Sequence, residues 1–579
     1  MTTLLLPLVL VALAASLQQT APLVASPFSS GAGLLSRGVS GHEQFNINTD
    51  YYSKCPETGV VREYWFDITN MTAAPDGVRR AMMLVNGQYP GPTIEVDWGD
   101  TVKVHVQNRL ENNGTSIHFH GVRQFLNNQM DGAVSVTQCP IAPETSYTYT
   151  WKAEQYGTSF YHSHFSLQAW EGVFGGIIIH GPAAADYDED LGVLFLNDWP
   201  HRTFNEIYIN QIRNPATPVI DTGLINMTNV WTTSDGETVG QRFKTEFVPG
   251  KKYRIRLVNA AMHAHFRFSI DDHNLTVIAS DFVPIVPFAT NNIAIGMGQR
   301  YDIIVQADQP VDNYWIRAVP QSACSNIPTG DNIKGIVHYI GAEDGEDPTT
   351  VKWDYGDDTQ CLDRPMSDLV PWVALDAMIS NTTSLNDAVA PTNAGGIFLW
   401  TIGGRAFNVS WKDPTLQHSS ATGMKTTIPD PGAINLPEAN QWVIFIIATN
   451  QGIPHPIHLH GHDFYILAQG IGPFSRSIPL QTRNPPRRDV ALMPAESNGG
   501  YLVIAFPTNN PGAWLLHCHM GFHSSAGFVQ QIVERQDEFW KFLNPELLKD
   551  TCEAWDDYAA VNPYGVQYRG TNGPYESGM

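Results

Sequence analysis

Apolar and polar residues alternate with a period of two along much of the chain. Thr101-Val102-Lys103-Val104-His105-Val106 is one such run, and Tyr147-Thr148-Tyr149-Thr150-Trp151 is another. Lys252 to Leu257 and Arg300 to Val305 repeat the pattern, while Gln441 to Ile447 is a continuous β-branched apolar run. Alternation of this kind predicts half-buried strands. Turn residues separate the runs, as at Pro90-Gly91-Pro92 and Asn510-Pro511-Gly512. Helical periodicity is rare, and its best instance is Asp537 to Lys549. Many short strands at this spacing predict an all-β protein of sandwiches or barrels. Gly181-Pro182-Ala183-Ala184-Ala185 reads as a linker, and the acidic, proline-containing stretch 341–371 marks a second change of character. Three domains are expected, over 46–182, 183–365 and 366–579, the last including a C-terminal tail.

Composition narrows the class. Of 579 residues, 43% are hydrophobic and 16% charged, unlike a disordered chain. The net charge of −23 argues against nucleic acid or an anionic membrane as partner, since both need a basic face. The first charged residue is Arg37, and Leu4 to Leu17 is almost wholly apolar, ending in small residues. That run is too short to span a bilayer and reads as a secretory leader over 1–20, followed by a propeptide-like segment over 21–45. Acceptor tripeptides for N-glycosylation begin at Asn70, Asn113, Asn226, Asn274, Asn381 and Asn408. Together these features predict a secreted glycoprotein whose cysteines can oxidise.

Histidine carries the chemistry. His118-Phe119-His120 echoes His458-Leu459-His460, and His162-Ser163-His164 echoes His517-Cys518-His519. On a strand, His-x-His puts both imidazoles on one face. The first and third units therefore read as copies of one design, whereas the middle unit is read as lacking such a pair. Cys518 faces the opposite way from His517 and His519, so it is expected to hold one metal while its neighbours hold another centre. A thiolate metal joined through adjacent histidines to a second centre suits electron transfer; zinc does no redox chemistry. His455 and His523 can complete a His₂Cys blue-copper set with a weak or absent axial ligand. The axial candidates are Phe528 and Met520, with Met520 too close to Cys518 along the chain to come round the metal.

These motifs, with His455-Pro456-Ile457-His458 and His519-Met520-Gly521-Phe522-His523, resemble the multicopper oxidases, and within them the laccases of ascomycete fungi. The resemblance implies three cupredoxin-like domains, four copper ions and one-electron oxidation of phenols coupled to reduction of O₂ to water. It implies a type 1 copper on His455, Cys518 and His523 with Phe528 in a non-coordinating axial place. It implies a type 2 copper on His118 and His458. The two type 3 coppers would take His120, His162 and His519, and His164, His460 and His517. Asp131 matches an acidic residue near the type 2 site that relays protons. The resemblance also pairs Cys139 with Cys552 and Cys324 with Cys361, leaving Cys55 over.

Two positions depart from the family pattern. His263 stands where a Glu or Asp beside the type 1 site normally accepts the phenol's proton; an ordinary histidine would do so with a pKa near 6.5. The chain ends Glu576-Ser577-Gly578-Met579, similar to a family tail with Asp in place of Glu. The expected function is a secreted, monomeric laccase using a phenolic substrate and O₂, with catalytic roles for Asp131, His263 and His523. Two alternatives stand beside it: a dedicated phenol-coupling oxidase of pigment or secondary-metabolite synthesis, and a non-enzymatic copper-binding or storage protein.

Overall fold

The computed structural model describes residues 45–562, apart from positions 346, 356–359, 380–381, 419–427, 429 and 431. The leader and the tail at 576–579 lie outside the described residues. Strands dominate, and they assemble into three successive pairs of facing sheets. The alternation in Thr101–Asn108 works as expected: Val102, Val104 and Val106 are buried, while Lys103 and His105 lie on the outer face. This strand sits in a four-stranded sheet between Val61–Ala73 and Ser146–Lys152. Its partner sheet contains His118–Phe119, Gly157–His162, Phe174–His180 and Gly91–Asp97.

The middle unit pairs a six-stranded with a five-stranded sheet, and the third unit does the same. The fold is all-β with three cupredoxin domains. Register places the site. His118 lies directly opposite His162, and His458 directly opposite His517. The histidine motifs thus sit on neighbouring strands, and the first and third units carry them at matching places.

The C-terminal helix starts later than the sequence pattern predicts. Gln536–Phe539 is a single helical turn, Trp540–Phe542 is a tighter turn, and the long helix is Pro545–Val561. The reason is local. Asn544 precedes proline, which disfavours helical backbone there, and its side chain caps the new helix by accepting from the Leu547 N–H at 3.2 Å. The helix buries Leu548, Cys552, Trp555 and Ala559, one face at helical spacing. Cys552 on that face is bonded to Cys139, which ties the C-terminal helix to the first unit. A second disulfide joins Cys324 to Cys361, and Cys55 and Cys518 are free. The sequence pattern also gave no sign of two short helices, Phe204–Gln211 and Gly521–Ser525.

One further correction concerns the middle unit. It does hold a His-x-His triplet, His263-Ala264-His265, but on a loop before strand Phe266–Ile270 rather than on a strand.

Candidate functional site

Two histidine centres lie in the third unit and at its junction with the first. In the smaller one, His455 opens strand His455–Leu459, Cys518 closes strand Gly512–Cys518, and His523 sits on helix Gly521–Ser525. The Cys518 sulfur is 3.6 Å from His455 Nδ1 and 3.7 Å from His523 Nδ1. The two Nδ1 atoms are 3.1 Å apart. All three side chains are buried. Burial pushes the Cys518 thiol up, so a cation is needed there to hold a thiolate. Burial drives His455 down to about 3, leaving a neutral ring ready to ligate.

Phe528 is fully buried with its ring 5.0 Å from His455. Met520 caps the short helix through its carbonyl, which accepts the His523 N–H at 2.9 Å. No local pattern singles out Trp400, whose ring packs 4.7 Å from His523 and 4.9 Å from His455. Gly521 is required: a Cβ there would lie 2.3 Å from the Met262 sulfur and 2.4 Å from the Trp170 ring.

The opposite face of the Cys518 strand serves the larger centre. His517 Nε2 is 3.2 Å from His460 Nε2, and His164 joins them to form one candidate ligand group. The rings of His120, His162 and His519 are 4.8 to 5.7 Å apart. His118 and His458 have ring centroids 5.8 Å apart, and with His460 they form another group of converging ligand atoms. Hydrogen bonds fix which nitrogen points inward. His118 Nδ1 donates to the Asp131 carbonyl at 2.7 Å and His458 Nδ1 to the Asp489 carbonyl at 2.8 Å. His162 Nδ1 donates to Ser163 and His517 Nδ1 to Cys518, each at 3.0 Å. The Nε2 atoms of His118, His162 and His458 are left buried with no hydrogen-bond partner. Most buried polar atoms in folded proteins are hydrogen-bonded; these orphans converge on shared groups, which fits a metal whose ligands are oriented through their other nitrogen.

Asp131 is fully buried, and its carboxylate accepts from His460 Nδ1 at 2.8 Å. It therefore grips His118 through its backbone and His460 through its side chain. Asp131→Asn is expected to lower cluster copper affinity or turnover by about 10–100-fold, measured by metal analysis after dialysis against a chelator. Unchanged copper retention and turnover would contradict this. Asp489 is not among the site residues expected from the sequence; its carboxylate lies 3.1 Å from His120 Nε2 and pairs with the buried Arg300. Burial pushes the Asp489 carboxyl up, and Arg300 opposes it. Its signal in the sequence is Arg487-Arg488-Asp489, charges set against the apolar strand Val490–Met493.

His263 faces the smaller centre, its ring 6.2 Å from His523 and 6.5 Å from Phe522. Both its ring nitrogens are buried without a partner. Asp198 holds the loop in place by accepting the N–H groups of Met262 and His263 at 2.8 Å and of Ala264 at 3.0 Å. Burial lowers His263 to about 4, which corrects the expected 6.5. His265 is lowered to about 3, also by burial.

These shifts set a pH dependence. A histidine whose folded pKa lies below its unfolded value near 6.5 binds fewer protons when folded. Its contribution is full above pH 6.5 and is lost as pH falls toward 4. Asp198, pushed up to about 6 by burial, and the buried Glu171, Asp363, Asp463, Asp489 and Glu534, also pushed up by burial, work in the opposite sense, but the buried histidines outnumber them. The metal-free protein is expected to lose thermal stability steadily from pH 6.5 to 4. His265→Gln should shallow that slope in Tm measured at fixed ionic strength; identical slopes would refute the assignment.

Three multicopper oxidase family models match the chain, over residues 67–184, 190–342 and 408–538. The chain belongs to the multicopper oxidase family. Among its relatives, Laccase-2 of Botryotinia fuckeliana is 45% identical over 528 residues, covering 89% of each chain. Dihydrogeodin oxidase of Aspergillus terreus is 38% identical, covering 89% of this chain and 90% of that one. The crystal structure of the Botrytis aclada laccase superposes with a TM-score of 0.85 at 41% identity, covering 93% of this chain and 98% of that one. Laccases at up to 45% identity and the superposing laccase structure support a laccase-type enzyme, and neither the phenol-coupling nor the storage alternative is favoured.

Proposed function

We propose that this chain is a secreted laccase-type oxidase acting on phenols, with one type 1 copper and a three-copper cluster. The observation that carries this reading is the pairing of two centres across one strand end: Cys518 faces His455 and His523, while His517 and His519 face the other histidines. When bound, copper supplies one-electron redox chemistry at the first centre and O₂ reduction at the second. His455, Cys518 and His523 would hold the type 1 ion, with the buried Phe528 ring packed against His455 and offering no ligand atom. His118 and His458 would hold type 2; His120, His162 and His519, and His164, His460 and His517, would hold type 3.

The protein's own groups do the rest. Phenol docks beside His523, where neutral His263 accepts the hydroxyl proton. Asp198 fixes the loop that carries His263. Asp131 orients His118 and His460 and stands ready to move a proton toward the cluster. The domain limits at 182 and 365 are part of this proposal, as is a monomer. No helix among the described residues is long and apolar enough to cross a membrane, and the apolar leader supports secretion. Metal analysis with a visible spectrum tests the reading: four coppers per chain and a blue band are expected. Full copper without colour would overturn the type 1 assignment.

A further inference from the structure

The loop that carries His263 is held along its whole backbone by side chains. The Asn259 amide oxygen accepts the Ala261 N–H at 2.9 Å, and Asp198 accepts those of Met262, His263 and Ala264 at 2.8 to 3.0 Å. The last N–H, that of His265, goes to a different partner, the Ser325 hydroxyl oxygen, at 3.0 Å. The His265 carbonyl accepts the Gln321 N–H at 2.9 Å. Gln321 and Ser325 are the two ends of one tight turn that follows strand Asn313–Pro320. The turn closes where the Gln321 carbonyl accepts the N–H groups of Cys324 and Ser325 at 3.2 and 2.9 Å. Cys324 in this turn is bonded to Cys361. The Gln321 side chain donates to the carbonyl of Gln360, the residue before Cys361, at 2.6 Å. The turn is therefore stapled to a remote segment twice, once covalently and once by a hydrogen bond.

A buried N–H must find a partner, and Asp198 and Ser325 supply it from opposite ends of the loop. The His263 ring is treated differently. Both its nitrogens are buried without a partner, and it stands 6.2 Å from the His523 ring. A fixed backbone under an unsatisfied ring holds the imidazole ready for a group that arrives from outside. We propose that Ser325 and Gln321, stapled by the Cys324–Cys361 bond, are positioning residues for phenol oxidation; this rests on the reading of His263 as the acceptor of the phenol's proton. Both act through His265 to set where His263 stands against His523. As a phenol's electron leaves through His523, its O–H bond breaks and the proton goes to a His263 nitrogen, so a neutral phenoxyl radical departs. A donor such as ferrocyanide gives up an electron alone and makes no use of His263. The turn thereby sets the preference for phenols over plain electron donors.

The test compares guaiacol with ferrocyanide on the copper-loaded enzyme. Ser325→Ala is expected to lower kcat/KM for guaiacol about 10–100-fold, with ferrocyanide turnover, copper content and the blue band unchanged. In a His263→Ala background the same change should add nothing, because the loss passes through His263. Gln321→Leu cuts the tie to Gln360 and keeps the Ser325 hydroxyl. It should show a smaller loss of the same selective kind, as should Cys324→Ser combined with Cys361→Ser. These two carry the test, judged by the same outcomes, if Ser325→Ala does not fold. Equal falls for both donors, full activity on guaiacol, or an undiminished loss in the His263→Ala background overturns the positioning role. A His263→Ala enzyme that oxidises guaiacol like the wild type overturns instead the reading of His263 as proton acceptor.

Discussion

Replacing Cys518 with serine is expected to abolish the blue colour and to take phenol turnover below detection, while the protein still folds. The sulfur is the one thiolate donor within reach of His455 and His523, and the blue-copper spectrum depends on that bond. Its neighbours His517 and His519 reach into the larger centre, so the same residue is the covalent route between the two. A serine hydroxyl fits the space left by the thiol in this fully buried strand end. Far-ultraviolet circular dichroism should therefore be unchanged. Metal analysis should show one copper fewer per chain. A variant that stays blue would refute the ligand assignment; one that loses colour but keeps turnover would refute the route.

The second large effect is on stability. Arg300 is fully buried where the three units meet, donating to Asp489 in the third unit at 2.5 and 2.6 Å and to the Thr158 carbonyl in the first at 3.3 Å. Arg488 sits beside it and donates to Asp281 at 3.0 and 3.1 Å. Arg300→Met leaves the Asp489 carboxylate buried without its cation, a change that costs about 3–5 kcal/mol. Denaturant unfolding should show that loss, and copper should leave the cluster more readily, because Asp489 also contacts His120. Adding Asp489→Leu should recover much of the stability, since two apolar groups can replace a buried pair. It should not recover cluster copper. A loss under about 1 kcal/mol for Arg300→Met would show that the pair is not what joins the units.

Much of this was legible in the chain. Period-two alternation announced the strands, and His-x-His on such strands placed the imidazoles on shared faces. The opposition of Cys518 to its two neighbours followed from the same alternation. The residues with no local signature act through contacts remote in sequence. Asp198 reaches the His263 loop across 65 residues, and Arg300 reaches Asp489 across 189. Local pattern has no record of such pairs. Trp400 has no local signature, and only packing brings it against His455 and His523. The pKa expected for His263 erred because burial, which sets it, is a property of the fold. The terminal helix shifted because a cap and a proline at 544–545 outweighed a loose periodicity.

The measurement that bears most directly on the laccase reading is stoichiometric. Copper-loaded protein is given a simple phenol in an oxygen electrode, with peroxide assayed in the same vessel. Four one-electron phenol oxidations per O₂ consumed, with no hydrogen peroxide released, is the expected result. Peroxide accumulating at two oxidations per O₂, or no uptake by fully loaded protein, would contradict it.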